Sequence, residues 1–371
     1  MSNTCNHISV DISIILLIYV ILAIFAKIVI EIITIITCKI VSKPKQFLKL
    51  STYNVELWNG MFDIIYEDGE NNKNHHNRNV KSFKMNETKI KQLEEYFSSE
   101  QNITEQMPHI LGLQESILAT NGTDRWKQIG SMNRVARVKA QDATWKTTAQ
   151  LNSDSVIPAS LSNDLYTSPD IEFISAREKV ISRDNINPIR VLCIVTLKIY
   201  GKYIITVGCV HTTGGRFDDK RSLYDIVFAE EKKYEIEQIL VENLDIFMGD
   251  FNLKRYRQHV IESSQKWKNE LTLEAEKEGK KVHNARVNEW NDWMYINHPS
   301  SPNNILDMIL EKGYIDATEI GNIKDTTMYG GQVDYIFIKE SKFIPVSARA
   351  YGEDYTRSDH LIVEAIVQII N

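Results

Sequence analysis

Six short clusters of carboxylate, amide and imidazole side chains are spread along the 371 residues of this chain, each at the end of an apolar run. They are Tyr53-Asn54-Val55-Glu56, Leu113-Gln114-Glu115, Val210-His211-Thr212, Gly249-Asp250-Phe251-Asn252, Val333-Asp334-Tyr335 and Ser358-Asp359-His360. Carboxylate and amide oxygens suit a hard divalent cation, and an imidazole beside a carboxylate suits proton transfer. One carboxylate at a strand end is ordinarily a turn residue. Six polar clusters at the rim of a core-forming sheet are instead expected to converge on one mouth. Asp250 and Asn252 sit two apart on an extended segment, so both can face that mouth.

The elements that position these groups follow from the apolar runs. Residues 47–55 read as a first strand, 109–114 as a compact strand entering Glu115, and 244–248 as a strand leading to Asp250. Residues 191–198 and 203–210 read as adjacent strands, joined by the hairpin signal Tyr200-Gly201-Lys202. Residues 332–338 and 361–370 read as closing strands, 84–97 as helical, and 219–241 as a long charged helix. Strands alternating with helices, plus hairpins, argue for an α/β layered fold with mixed sheets.

Composition narrows the function classes. At 43% hydrophobic and 25% charged, the chain can build a sizeable core. A formal net charge of −6 excludes a protein that coats nucleic acid non-specifically, which gains affinity by displacing counterions. Cys5, Cys38, Cys193 and Cys209 show neither zinc spacing nor a disulfide framework and read as buried thiols. His75 and His76 fall in a polar, low-complexity loop at 68–79 and read as solvated.

The N-terminal region has a different character. Ile12 to Ala26 is free of charge, and the apolar stretch continues past Lys27 and Glu31 to Thr37. That is ample for the ~20 residues of a membrane-spanning helix. Lys27 and Glu31, four apart, can pair on one helical face and lower their insertion cost. The expected organisation is a short tail at 1–11, a transmembrane anchor at 12–37, a basic juxtamembrane linker at 38–45, and a folded domain at 46–371 with an insertion at 254–305. Lys39, Lys43, Lys45 and Lys49 follow the apolar segment, whereas Asp11 is the only charge before it. The positive-inside rule then sets a single-pass membrane protein with its domain on the cytosolic side.

In order and context, the six motifs resemble the endonuclease/exonuclease/phosphatase superfamily, the deoxyribonuclease I-like fold, over roughly residues 46–371. Gly249-Asp250-Phe251-Asn252 and Ser358-Asp359-His360 are together specific, and Thr52-Tyr53-Asn54-Val55-Glu56 and Leu113-Gln114-Glu115 reinforce them. The resemblance implies a four-layered α/β/β/α sandwich with mixed, mostly antiparallel sheets and a site at one sheet edge. It also implies a metal-dependent phosphoric ester hydrolase, most simply a nuclease-like phosphodiesterase using Mg²⁺ or Mn²⁺. Such hydrolysis needs an activated water, neutralised phosphoryl charge and a stabilised leaving alkoxide. By resemblance, Glu115 is the metal-binding carboxylate, with Asn54 and Asp359 completing or supporting the sphere and Glu56 a further candidate ligand. Asp250 would orient or deprotonate the water, and Asn252 would donate to a phosphoryl oxygen. His360, held by Asp334, would contact the phosphate or act as acid/base.

His211 resembles the second histidine of the deoxyribonuclease, deadenylase and sphingomyelinase-like branches. Arg221 resembles a helix arginine that follows it, and Tyr329 lies where the fold shapes the leaving-group side. The loop through Arg216 and Phe217 matches no one branch. Trp267, Trp290 and Trp293 in the insertion can stack on bases or simply pack. A sphingomyelinase-like lipid phosphodiesterase or an inositol-phosphate phosphatase remains an alternative that the membrane anchor favours. A catalytically silent, membrane-tethered binding module is the alternative of another class, and the intact acidic and imidazole groups argue against it.

Overall fold

The chain folds into two β-sheets that face each other across an apolar core. The computed structural model describes residues 24–25, 27–29, 46–55, 62–66, 80–85, 95, 108–117, 126–141, 161–183, 189–213, 226–255, 299–327, 331–352 and 358–370. In chain order the strands are β1 (Phe47–Asn54), β2 (Phe62–Tyr66), β3 (Val80–Met85), β4 (Ile110–Ile117), β5 (Gln128–Ile129), β6 (Met132–Gln141), β7 (Leu161–Thr167) and β8 (Glu172–Val180). There follow β9 (Val191–Ile199), β10 (Tyr203–His211), β11 (Ile246–Asp250), β12 (Tyr314–Asp316), β13 (Asp334–Lys339), β14 (Phe343–Tyr351) and β15 (Ile362–Ile369). Helix α1 spans Ile226–Val241 and α2 spans Pro302–Glu311.

The first sheet has the order β14-β15-β1-β4-β7-β6-β5 and the second β12-β13-β11-β10-β9-β8. Only β1–β4 and β10–β11 run parallel in these two sheets; the other pairings are antiparallel. Strands β2 and β3 form a separate hairpin pair. The arrangement is that of a deoxyribonuclease I-like sandwich.

Alternation explains the core. Leu48, Leu50, Ile110, Leu165, Val363 and Ala365 of the first sheet meet Val195, Cys209, Met248 and Ile336 of the second. Each large aliphatic side chain buried this way stabilises the fold by about 1.5–3 kcal/mol. The outer face of the second sheet is covered by helices. Ile236 and Ile239 of α1, and Ile305, Leu306 and Ile309 of α2, pack on Leu192, Ile194, Phe247 and Phe337. Helix α2 starts where the Ser301 hydroxyl accepts the Asn304 amide at 3.2 Å, with Pro302 in the first turn. The anticipated β9–β10 hairpin forms, and its turn needs left-handed backbone at Tyr200 (φ 53°) and Gly201 (φ 65°).

Gly249 marks the closest approach of backbone to backbone. A Cβ there would lie 1.8 Å from the Val210 carbonyl oxygen of the neighbouring strand, and its φ is 151°. Gly249→Ala is therefore expected to destabilise the domain by at least ~3 kcal/mol, above the usual overpacking cost because backbone must move. Urea unfolding measures this, and an unchanged midpoint would contradict the packing described.

Some elements differ from the sequence expectation. Lys84 and Met85 end strand β3 instead of opening a helix; within 84–97 only Glu95 among the remaining described residues is helical. Residues 302–305, placed in the insertion, are the first turn of α2. Most of the proposed anchor at 12–37 lies outside the described residues. Ile24, Phe25, Lys27, Ile28 and Val29 are helical and exposed. Among the described residues, no helix is long and apolar enough to cross a membrane. Cys193 and Cys209 are buried free thiols; Cys5, Cys38, His75 and His76 lie outside the described residues.

Candidate active site

Strand register brings three of the six clusters together in the second sheet. β10 runs parallel to β11 with His211 opposite Asp250, and β13 runs antiparallel to β11 with Asp334 opposite Asp250. Residues in register share a face, so His211, Asp250 and Asp334 form a row across three strands. An aromatic stack fixes the end of this row: Phe251, Tyr335 and Phe337 lie within 5.3 to 5.8 Å of one another. The Tyr335 hydroxyl sits 2.9 Å from the carbonyls of Leu253 and Gln332.

The first sheet supplies the other three clusters. Asn54 of β1 is in register with Gln114 of β4, which brings Asn54 and Glu115 to one edge. Glu115 has φ 54°, within an irregularity between Leu113 and Ser116, and such a bulge re-aims a side chain. Beside it, Ser116 Oγ donates to Asp164 at 2.6 Å and Arg137 pairs with the same buried carboxylate. The turn carrying Asp359 and His360 is tied to β1. Ser358 Oγ donates to the Asn54 carbonyl at 2.7 Å, and the His360 amide donates to Ser358 Oγ at 3.1 Å.

The two groups meet at Asp250. Asn54 Nδ2 donates to Asp250 Oδ2 at 3.0 Å, from one sheet to the other. The same oxygen lies 3.5 Å from His211 Nε2 and 3.7 Å from His360 Nε2. Asp250 Oδ1 accepts the Asn252 amide at 2.8 Å, and Asn252 Nδ2 donates to the Thr212 carbonyl at 3.2 Å. His360 Nδ1 donates to Asp334 at 2.9 Å, while Asp359 lies 3.6 Å from its Nε2. His211 Nδ1 is 3.7 Å from Glu115 Oε1.

Electrostatics separates the two histidines. Burial, followed by the positive charge of Arg190, lowers His211 to about 3, so it is neutral in the physiological range. Burial also opposes charging His360, but Asp334, Asp250 and Asp359 together outweigh it and raise its pKa well above the ordinary value. For Asp250, burial favours the neutral form, and His360, His211 and the Asn252 and Asn54 donors reverse that, leaving its pKa lowered. A neutral imidazole, an imidazolium and a carboxylate thus share one contact shell. Environments that push titratable groups apart in this way are the usual basis for distinct acid and base roles.

Asp250, Asp334 and His360 offer ligand atoms within 4.8 Å of one another. His360 is committed to Asp334 through Nδ1, so this trio is better suited to holding a proton than a cation. Asn54, Glu115 and Asp359, which reach Asp250, His211 and His360 respectively, are the alternative candidate donor set. Its oxygens suit Mg²⁺ or Mn²⁺, and the Glu115 and Asp359 side chains are partly exposed, at 17% and 13%.

Glu56, Arg221, Tyr329, Arg216, Phe217, Trp267, Trp290 and Trp293 lie outside the described residues. The structure adds cations that the sequence reading passed over. Arg190, directly before β9, is buried, and its charge acts on Glu235, Glu115 and Asp250; its Nε has no hydrogen-bond partner among the described residues. Because β9 is antiparallel to β10, the residue before its start lies beside the end of β10 and His211. Lys254 is lowered to about 8 by burial, against Asp325 and Asp250. Lys232 of α1 is also lowered to about 8 by burial, and Glu235, three positions further along the same helix, is raised to about 7 by burial.

No protein-family model matches the sequence, and no curated protein matches it either. Solved structures share the fold. The endonuclease/exonuclease/phosphatase from Beutenbergia cavernae DSM 12333 superposes with a TM-score of 0.52 at 14% identity, covering 88% of this chain and 72% of that one. The human Nocturnin catalytic domain with bound sulfate anion superposes with a TM-score of 0.47 at 13% identity, covering 88% and 97%. At these identities the likeness is one of fold.

Proposed function

We propose that this chain is a divalent-metal-dependent phosphoesterase that hydrolyses a phosphodiester, acting as a nuclease. The observation that carries the reading is Asp250 Oδ2, held by Asn54 and facing His211 Nε2 and His360 Nε2 at 3.5 and 3.7 Å. Asp250 accepts the proton of the attacking water and orients it. The His360 imidazolium, braced by Asp334, donates to a phosphoryl or leaving oxygen. Neutral His211 and the second N–H of the Asn252 side-chain amide hydrogen-bond other phosphoryl oxygens, and Arg190 supplies positive charge behind them. Glu115, Asn54 and Asp359 would hold Mg²⁺ or Mn²⁺, which supplies Lewis-acid stabilisation of developing negative charge.

The same reading includes a tether. Exposed, helical Ile24, Phe25, Ile28 and Val29 within the apolar run support a membrane anchor at 12–37, and Lys39, Lys43, Lys45 and Lys49 after it favour a domain on the cytosolic side. Tethering would raise the local concentration of a bilayer substrate, so a phospholipid or inositol phosphate is the second reading.

The test is hydrolysis by the full chain, purified in mild detergent, of bis(p-nitrophenyl) phosphate, plasmid DNA, RNA, sphingomyelin and phosphoinositides. The expected result is cleavage of the aryl diester and of nucleic acid, lost in EDTA and restored by Mg²⁺ or Mn²⁺. Turnover of lipid alone would select the second reading. Cleavage indifferent to EDTA, or no cleavage of any substrate, would overturn the proposal.

A further inference from the structure

Helix α1 buries three of its charges where a helix on a sheet ordinarily presents apolar groups: Glu231, Lys232 and Glu235 are nearly or fully inaccessible to solvent. Two of them hold the strand ends that carry site residues. Glu235 accepts the Thr213 amide at 2.8 Å and the Thr213 hydroxyl at 2.5 Å, two residues beyond His211. Lys232 Nζ donates to the Asn252 carbonyl at 2.6 Å, two residues beyond Asp250. Asn252 has φ 49°, in the left-handed region that asparagine tolerates better than most residues with a side chain, and the Lys232 contact falls on its carbonyl. The two held segments also brace each other, since the Thr212 amide donates to the Asp250 carbonyl at 2.9 Å and Thr212 Oγ1 donates to the Phe251 carbonyl.

We infer that Lys232 and Glu235 are positioning residues: from the buried face of α1 they clamp the Thr212–Thr213 and Phe251–Asn252 segments, fixing His211, Asp250 and Asn252 in their relative places. Neither contacts substrate. Buried charges leave such a face only at high cost, because each would have to surrender its partner in a low-dielectric interior. The clamp is therefore stiff, and stiffness at the scale of tenths of an ångström is what separates a productive site from a loose one. The Glu235 contact is made of two hydrogen bonds to one residue, so a side chain of the same shape that accepts from the amide keeps most of it. This inference rests on the phosphoesterase reading for its kinetic part only.

Glu235→Leu, Glu235→Gln and Lys232→Met, each in the full chain, separate the possibilities. With bis(p-nitrophenyl) phosphate and Mg²⁺, Glu235→Leu and Lys232→Met are expected to lower kcat at least tenfold while KM stays within threefold. Glu235→Gln is expected to lose less than threefold. Amide hydrogen exchange at Thr213 and Asn252 should accelerate in Glu235→Leu and Lys232→Met but not in Glu235→Gln. Wild-type kcat in the folded Leu and Met variants would overturn the inference, as would a Gln variant as slow as the Leu variant, since charge alone would then explain the effect. Thr213→Val guards against a Leu variant that fails to fold. It removes the hydroxyl bond while leaving every charge in place, and it should lower kcat several-fold; no change would again count against the clamp. If the wild-type chain hydrolyses nothing, the phosphoesterase reading fails separately, and exchange at Thr213 and Asn252 still decides whether α1 holds these segments.

Discussion

Asp250→Asn is expected to lower kcat for bis(p-nitrophenyl) phosphate by ~10³, within the range that a positioned general base contributes. The substitution changes almost no volume, so the loss reads chemistry and not packing. The carboxylate accepts from the Asn252 amide on one oxygen and from Asn54 Nδ2 on the other. An amide can keep the first contact only by turning its nitrogen toward Asn54 Nδ2 and the His360 imidazolium, setting donor against donor. The base is gone, and the imidazolium loses one of the charges that stabilise it. Because the Asp250 pKa is lowered in the fold, the wild-type acid limb of the kcat–pH profile should fall below the ordinary aspartate range. A variant with kcat within tenfold of wild type would remove Asp250 from the reaction.

His360→Ala should cost a comparable ~10² to 10⁴ in kcat, the scale of a lost acid or charge-stabilising group. Asp334→Asn is the more telling partner experiment. Asp334 is the first of three carboxylates that raise the His360 pKa against the effect of burial. Without it the imidazolium should deprotonate at lower pH, and the alkaline limb of kcat should move toward acid. The same pair makes a statement about stability. A histidine whose folded pKa is raised above the unfolded value of about 6.5 contributes stability fully present below that value. The contribution is lost as pH climbs through the folded pKa. The urea midpoint of the wild-type chain should therefore decline over that upper interval, and the decline should shrink in His360→Ala. An alkaline limb that does not move in Asp334→Asn would detach His360 from it.

The parts of the fold legible in the sequence are those where burial and pattern agree. β1, β9, β10, β11, β13 and β15 are apolar runs buried along most of their length, and the polar residues at their ends stand out against them. β7 escaped because Ser162, Asn163 and Asp164 are fully buried, a polar triplet that locally resembles a turn. β8 is exposed along nearly its whole length and shows no alternation to read. β6 interleaves Arg134, Arg137 and Lys139 with its apolar residues, and Arg137 finds its partner, Asp164, only across the sheet. Site residues followed the same rule. Those at the ends of legible strands could be named, whereas Arg190, Lys232 and Glu235 are charges on a strand start and a helix whose partners lie far along the chain. A charged helix face ordinarily reads as solvated, and nothing local in α1 says that three of its charges are buried.

The order of strands in the first sheet also bears on when the candidate site can be complete. β1 lies between β15 and β4, so the earliest strand of that sheet waits for one of the latest, and the Ser358–Asn54 contact joins residues 304 positions apart. At ordinary translation rates of about 5–20 residues per second, roughly 15–60 s separate the emergence of the two halves. A nascent chain on the ribosome would hold His211 and Asp250 but not His360. Topology thereby keeps the site incomplete until the last strands are made, while the unpaired edge of β1 is left open to chaperones or to mispairing for that interval.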